Sequence, residues 1–169
     1  QAIYITESID SSLIKTFKGS DEDLNAPTYQ NVLKALSTIR SLIPRFRYLY
    51  LMGKNEDGEI FFYIDTQEDT EEVPPSQPGE IYEDASPELV QCFDTGEPFT
   101  EGPIPDKWGV WVSALVPVRD TVDNKIVAVL GMDIEARDWN KLIWLKTYPT
   151  LVFTFLIILV ILLSGISFS

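Results

Sequence analysis

"WGVWVSALVPVRDTVDNKIVAVLGMDI", residues 108 to 134, reads as two strands around a turn. Successive side chains of a strand point to opposite faces. Val110, Val112, Ala114, Val116 and Val118 therefore share one face of the first strand, and Trp111, Ser113, Leu115 and Pro117 share the other. Neither face suits water. The hairpin needs cover on both sides, and the rest of the chain has to supply it.

Two more β-rich runs, "RYLYLMG" and "EIFFYID", flank "KNEDG", whose Asp57-Gly58 step is a strong hairpin signal. Before them, Ile5, Ile9, Leu13 and Phe17 recur at four-residue steps, joined by Ile14, which predicts one amphipathic helix over residues 3 to 17. Its stripe is narrow enough for a seam in a parallel dimer. A second helix is expected from an Asn25 N-cap and Pro27, through Tyr29, Val32, Leu33, Leu36, Ile39, Leu42 and Ile43, to Pro44. "TQEDTEEVPPSQPGE" reads as an exposed acidic loop, and "ASPELVQCFDTG" as a short helix capped by Ser86 and stopped by Gly96. "PFTEGPIPD" is expected to give at most a short edge strand. The sum is an α+β domain: an antiparallel sheet of about five strands with segregated long N-terminal helices. Those helices can cover the valine face, which leaves the segment from Asp65 to Asp106 to cover the Trp111 face.

Composition excludes several functions. The chain of 169 residues has 26 acidic and 13 basic residues, a net charge of -13, which repels nucleic acid and anionic lipid. It has no histidine, so Ser-His-Asp and Cys-His catalysis and histidine-based zinc sites are excluded. The one cysteine, Cys92, sits among Leu89, Val90 and Phe93 and is expected to be a buried, inert thiol. No cofactor is expected. The acidic run offers Glu68, Asp69, Glu71 and Glu72 beside Asp65 as a weak divalent-cation alternative, without the ligand spacing of an EF-hand loop.

After Lys146 comes "TYPTLVFTFLIILVILLSGISFS", which carries no charge. About 20 apolar residues at 1.5 Å rise cross the roughly 30 Å hydrocarbon core of a bilayer. Residues 148–168 are expected to form a transmembrane helix, with Pro149 in its first turn and Trp144 and Tyr148 at the interface. Neither a leading methionine nor a basic flank after the span is present, so the natural protein is expected to continue at both ends.

The stretches "RYLYLMGKNEDGEIFFYID", "GEIYEDASPELVQCF" and "DKWGVWVSALVPVRD...IVAVLGMDIEARDW" together resemble the extracytoplasmic PAS-like, Cache-type sensor domain of membrane-bound histidine kinases, chemoreceptors and cyclases. The resemblance covers roughly residues 25 to 140. It implies a small-molecule site between the sheet and the loop that crosses it, and residues 1–140 outside the cytoplasm. It also implies a kinase or cyclase output beyond the C-terminus, so no catalysis is expected within this chain. In one amine-recognising branch the ligand motif ends in an aspartate of the last strand, where "GMDI" places Asp133. The Arg-x-Trp-Tyr part of that motif has no counterpart here.

The expected organisation is a signalling or dimer helix over 1–24, the sensor domain over 25–137, a juxtamembrane helix over 138–147 and the membrane span over 148–168. Trp111 is expected as an aromatic wall of the ligand pocket and Ser113 as a hydrogen-bonding point, with Tyr50, Asp65, Tyr82, Trp108 and Asp133 completing it. Asp133 poses a question of register. A two-residue Asp123-Asn124 turn would aim it away from Trp111, whereas a bulge would bring it back. A carboxylate under the valine face would be buried in apolar surroundings, which favours the Trp111 face. A non-binding dimerisation scaffold is the alternative to a sensor.

Overall fold

The computed structural model describes residues 2–67, 74–106 and 109–166. The chain divides into two units, Gln1–Glu135 and Ala136–Ser169. In the first, the elements run α1 (Ala2–Ser8), α2 (Ser11–Ile14), a 3-10 turn (Asp21–Asn25), α3 (Pro27–Leu42), β1 (Tyr48–Lys54), β2 (Ile60–Asp65), α4 (Pro87–Thr95), β3 (Phe99–Asp106), β4 (Gly109–Arg119) and β5 (Ile126–Glu135). The strands form one antiparallel sheet of order β2-β1-β5-β4-β3. The expected α+β architecture is present.

Each face of the sheet carries its own core. Leu49, Leu51, Ile64, Val118, Ala128, Leu130 and Met132 meet Ile14, Tyr29, Val32 and Leu36 of the helices. On the opposite face Tyr48, Tyr50, Met52, Phe62, Trp111, Leu115 and Val129 meet Leu89 and Cys92 of α4. Thus helices α1 to α3 cover the even-numbered residues of β4, and α4 with its flanking segments covers Trp111. Cys92 is buried, and that burial pushes its thiol up to about 11, so it packs as a small hydrophobe.

Four local expectations are corrected. Residues 3 to 17 do not form one helix, because Asp10 interrupts them. Its carboxylate accepts from Ser12 N at 3.0 Å and Ser12 Oγ at 2.6 Å and so starts α2 afresh. Their apolar stripe is no dimer seam either. Ile5, Ile14 and Phe17 belong to the protomer's own core, with Ile9 and Leu13 packed against it. The N-cap of α3 is Ala26 rather than Asn25, which ends the preceding 3-10 turn, and Pro27 fixes the first helical position. Residues 99–106 form a full edge strand, because Phe99, Thr100 and Glu101 pair with Leu115, Ala114 and Ser113. Its prolines fall where an edge position tolerates a missing donor.

Helix α2 is fastened to the β4–β5 turn by an ion pair between Lys15 Nζ and Asp120 Oδ2. Asp120 also accepts from Val122 N at 2.8 Å. Lys15 first, and that backbone bond second, hold its carboxyl below the usual 3.8. The turn itself is longer than two residues. Asp120 N donates to Lys125 O, Asn124 adopts a left-handed φ of 60°, and the β4–β5 register shifts between Val118 and Arg119.

The second unit is one helix, α5 (Ala136–Ile166), following β5 without an intervening residue. Its stretch Ala136–Leu163 contains an 18-residue window of mean hydropathy 2.1 and is long and apolar enough to cross a membrane. Pro149 lies inside this helix and not in a first turn, a further correction. A proline inside an apolar membrane helix is tolerated where neighbouring groups satisfy the freed carbonyl.

The burial of the N-terminal stripe makes a sharp prediction. Ile5→Asp places a charge in the core and should lower the unfolding midpoint of the whole sheet domain by circular dichroism, by about 3 kcal/mol or more. Tyr4→Asp, one residue away but 76% exposed, should change it by less than about 0.5 kcal/mol.

Candidate functional site

The site is built on the face of the sheet that carries Trp111. Across β1 and β5, Tyr48 stands opposite Asp133, Tyr50 opposite Gly131 and Met52 opposite Val129. Across β5 and β4, Asp133 stands opposite Ser113 and Glu135 opposite Trp111. Directly opposed residues point to the same side, so the bulge after Val118 places Asp133 on the Trp111 face.

Gly131 sets the next level of geometry. A Cβ there would lie 1.9 Å from Cε2 of Tyr50, so the Tyr50 ring lies flat across β5 where only glycine leaves room. Its hydroxyl then reaches along the strand and donates to Asp133 Oδ1 at 3.0 Å. Burial, and then the neighbouring Asp133 carboxylate, push the Tyr50 phenol well above its usual 10. Tyr50 therefore stays a donor at every physiological pH.

A strap, residues 74 to 85, closes the site from the β2 side. β2 is an edge strand, and the strap docks on its unpaired groups. Gly79 N donates to Phe62 O at 2.8 Å, Phe62 N to Glu80 O at 3.0 Å and Tyr82 N to Ile60 O at 2.8 Å. This brings Tyr82 edge-on to Phe62, with centroids 5.6 Å apart, and Phe62 edge-on to Tyr50 at 5.8 Å. Asp65, the last residue of β2, ties down the strap's beginning. Its carboxylate accepts from Gln67 N at 2.9 Å and Ser76 N at 3.0 Å. Burial raises the Asp65 pKa, opposed by these two bonds and by the Arg40 charge.

Between strap and sheet lies a cavity of about 30 Å³ free volume, lined by Tyr48, Tyr50, Met52, Phe62, Asp65, Gln67, Ser76, Tyr82 and Asp133. A single enclosed water needs roughly 10–15 Å³ by this measure, so the space is compact. Asp65, Gln67 and Ser76 also line a larger groove of about 430 Å³ on the α3 side, whose wall includes Tyr29, Leu33, Ser37 and Arg40. The inner cavity and the outer groove are thus separated by three side chains.

Of the residues expected from the sequence, Tyr50, Asp65, Tyr82 and Asp133 line the cavity together. Trp111 does not; it packs edge-on behind Tyr48 at 4.8 Å. Ser113 sits beside Asp133 on β4, outside the lining. Trp108 lies outside the described residues, as do Glu68, Asp69, Glu71 and Glu72. Among the described residues, no cluster of Asp, Glu or Cys could hold a metal ion. Tyr48, Met52 and Phe62 complete the lining, and their parity with Tyr50 in the two strands is the signal that finds them. Gln67 and Ser76 carry no sequence signal, because they arrive only through the Asp65 carboxylate.

No family model matches the chain, and no curated protein matches it. Several solved structures do. The sensory domain of the Campylobacter jejuni chemoreceptor Tlp3 (CcmL) is 19% identical, over 83% of this chain and 56% of that one, with a TM-score of 0.47. The ligand-binding domain of Tlp3 in complex with 4-methylisoleucine is 18% identical, over 83% and 52%, with a TM-score of 0.48. The periplasmic sensory domain of C. jejuni Tlp1 is 17% identical, over 81% and 54%, with a TM-score of 0.42. This chain spans about half the length of those structures.

Two outcomes follow from the geometry. In a double-mutant cycle, Tyr50→Phe and Asp133→Asn should couple by about 1–3 kcal/mol in denaturant unfolding, and simple additivity would mean that their bond contributes nothing. Asp65, whose pKa is raised, binds its proton more tightly in the fold than in the unfolded chain. Its contribution therefore falls as pH rises from the usual 3.8 through the raised value. Asp65→Asn should remove that component of the pH slope, read from unfolding midpoints between about pH 3 and 7.

Proposed function

We propose that residues 1–135 form an extracytoplasmic, Cache-type small-molecule-sensing domain of a transmembrane signalling receptor, a sensor histidine kinase in the first reading. The observation that carries this is the cavity between sheet and strap, with Asp133 on β5 at one end of it. Aromatic walls with a few convergent polar groups are the usual lining of a ligand site, and this cavity would have to open at the strap to admit more than a very small group. Asp133 lies two residues before Glu135, where β5 gives way to α5, a helix fit to cross a membrane. A ligand that prefers one arrangement of strap and β5 biases whatever α5 transmits, and only by its differential affinity for the two arrangements.

The alternative of divalent-cation sensing through the acidic loop 65–72 falls largely on residues outside the described ones. A parallel homodimer remains part of the proposal, but Ile5, Ile14 and Phe17 are buried in the protomer's own core and do not supply its seam.

Two experiments test this. The full chain in detergent, screened by thermal shift against small amines, carboxylates and neutral molecules, should yield at least one stabilising compound whose effect Asp133→Asn abolishes. A screen in which every shift survives that substitution leaves the scaffold alternative standing. For orientation, Glu56→Cys in the exposed β1–β2 turn should react with an impermeant thiol reagent in intact cells, and labelling only after lysis would place the domain in the cytoplasm.

A further inference from the structure

The strap rests on more than the β2 edge. Gly79 lies against the loop between α2 and the 3-10 turn, so closely that a Cβ there would stand 2.3 Å from the Gly19 carbonyl oxygen. Its φ of 88° is left-handed, so only glycine suits both the backbone and the gap. The loop in turn sits on β2, where a Cβ on Gly19 would lie 2.5 Å from the Phe61 ring. Strap, loop and edge strand meet at one joint.

The loop side of that joint is stiff. Asp23 is 3% exposed, and its carboxylate accepts from three consecutive amides: Lys18 N at 2.9 and 3.0 Å, Gly19 N at 2.8 Å and Ser20 N at 3.4 Å. Bonds to an ionised acceptor are roughly twice as strong as neutral ones. The residues before the loop are fixed as well, since Ile14 and Phe17 are buried in the helical core and Lys15 pairs with Asp120. The strap side is softer. It is held by the backbone bonds of Gly79, Glu80 and Tyr82 to β2 and by the Ser76 N bond to Asp65.

We propose that the Lys18–Ser20 loop is a stop for the strap: it fixes how closely the strap seats on β2 and couples the N-terminal helices to closure of the cavity. Where a rigid loop touches a softer strap, the loop sets the resting position. Tyr82, three residues beyond Gly79, lines the cavity, so a shift at the joint reaches it along a short piece of backbone. Coupling is reciprocal. Whatever lifts the strap loosens the loop, and whatever displaces the segment from Ile14 to Phe17 changes the free energy of opening the cavity. This holds whatever the cavity takes, so it stands apart from the sensor reading.

The test is hydrogen exchange on the full chain in detergent at neutral pH, followed in peptides that cover the loop, the strap and the β4–β5 pair. Asp23→Asn keeps the side chain's shape but removes its charge and one acceptor oxygen. It should lower protection of the strap amides Gly79 and Tyr82 by about tenfold, with β4–β5 amides changing less than about twofold. Gly79→Ala should do the same and, in the other direction, lower protection of the Lys18, Gly19 and Ser20 amides. Gly58→Ala puts a similar φ strain, at 86°, in the β1–β2 turn, where the nearest atom is Lys54 Cε at 4.0 Å, and should leave loop and strap unchanged. With Asp23→Asn and Gly79→Ala together, the strap should lose less protection than the two single losses multiplied, because a loosened loop yields to the added methyl. Unchanged strap protection in Asp23→Asn, or effects that simply multiply, would overturn the coupling. Equal loss in strap and β4–β5 amides would overturn it too, as global destabilisation.

Discussion

The register between β4 and β5 is the constraint on which the site depends. One bulge, after Val118, sets Ser113 opposite Asp133 and Leu115 opposite Gly131. Because side chains alternate along a strand, removing that bulge would turn Asp133 towards the helices and Gly131 away from Tyr50. A carboxylate would then be buried under Leu49 and Leu130, and the Tyr50 ring would lose the gap in which it lies. The bulge lies next to the Asp120–Lys125 turn, to which Lys15, just after α2, is tied by an ion pair with Asp120. The placement of the cavity-facing aspartate thus traces to one register shift beside that turn.

The strap shows how an edge strand is turned to use. β2 has no neighbour in the sheet beyond it, and its free N–H and C=O groups are taken by Gly79, Glu80 and Tyr82. That pairing protects the edge and carries Tyr82 over the cavity mouth. Asp65 completes the closure with two backbone bonds, at some electrostatic cost from its own burial. A segment held by an edge ladder and a partly desolvated carboxylate is a weaker fastening than the sheet interior.

The two faces of the sheet are packed differently. The helical face is filled by aliphatic and aromatic side chains in mutual contact, from Ile5 to Met132. The opposite face mixes rings with Asp133 and leaves a small void. β5 contributes to both, through Leu130 and Met132 on one side and Gly131 and Asp133 on the other, and α5 begins where β5 ends. The strand that lines the cavity on one face is therefore locked into the core on its other face.

The sequence by itself determined what depends on local pattern. Alternation named the strands, Ser86 and Gly96 bounded α4, and the 23 uncharged residues after Lys146 marked a helix long and apolar enough to cross a membrane. Parity grouped Tyr48, Tyr50 and Met52, and the absence of histidine removed most catalytic readings. Only the tertiary structure decided what depends on register and on distant contacts. Periodicity measures amphipathicity and not the partner, so the stripe from Ile5 to Phe17 read as a dimer seam although it packs on its own sheet. Trp111 looked like a wall of the cavity, yet it packs edge-on against Tyr48 of β1, two strands away, and stays outside the lining. Gln67 and Ser76 joined the lining through backbone bonds to Asp65, which no spacing rule encodes. Which face Asp133 occupies rested on a single inserted residue, because the strand period of two makes facing depend on an odd or even count that only the folded turn fixes.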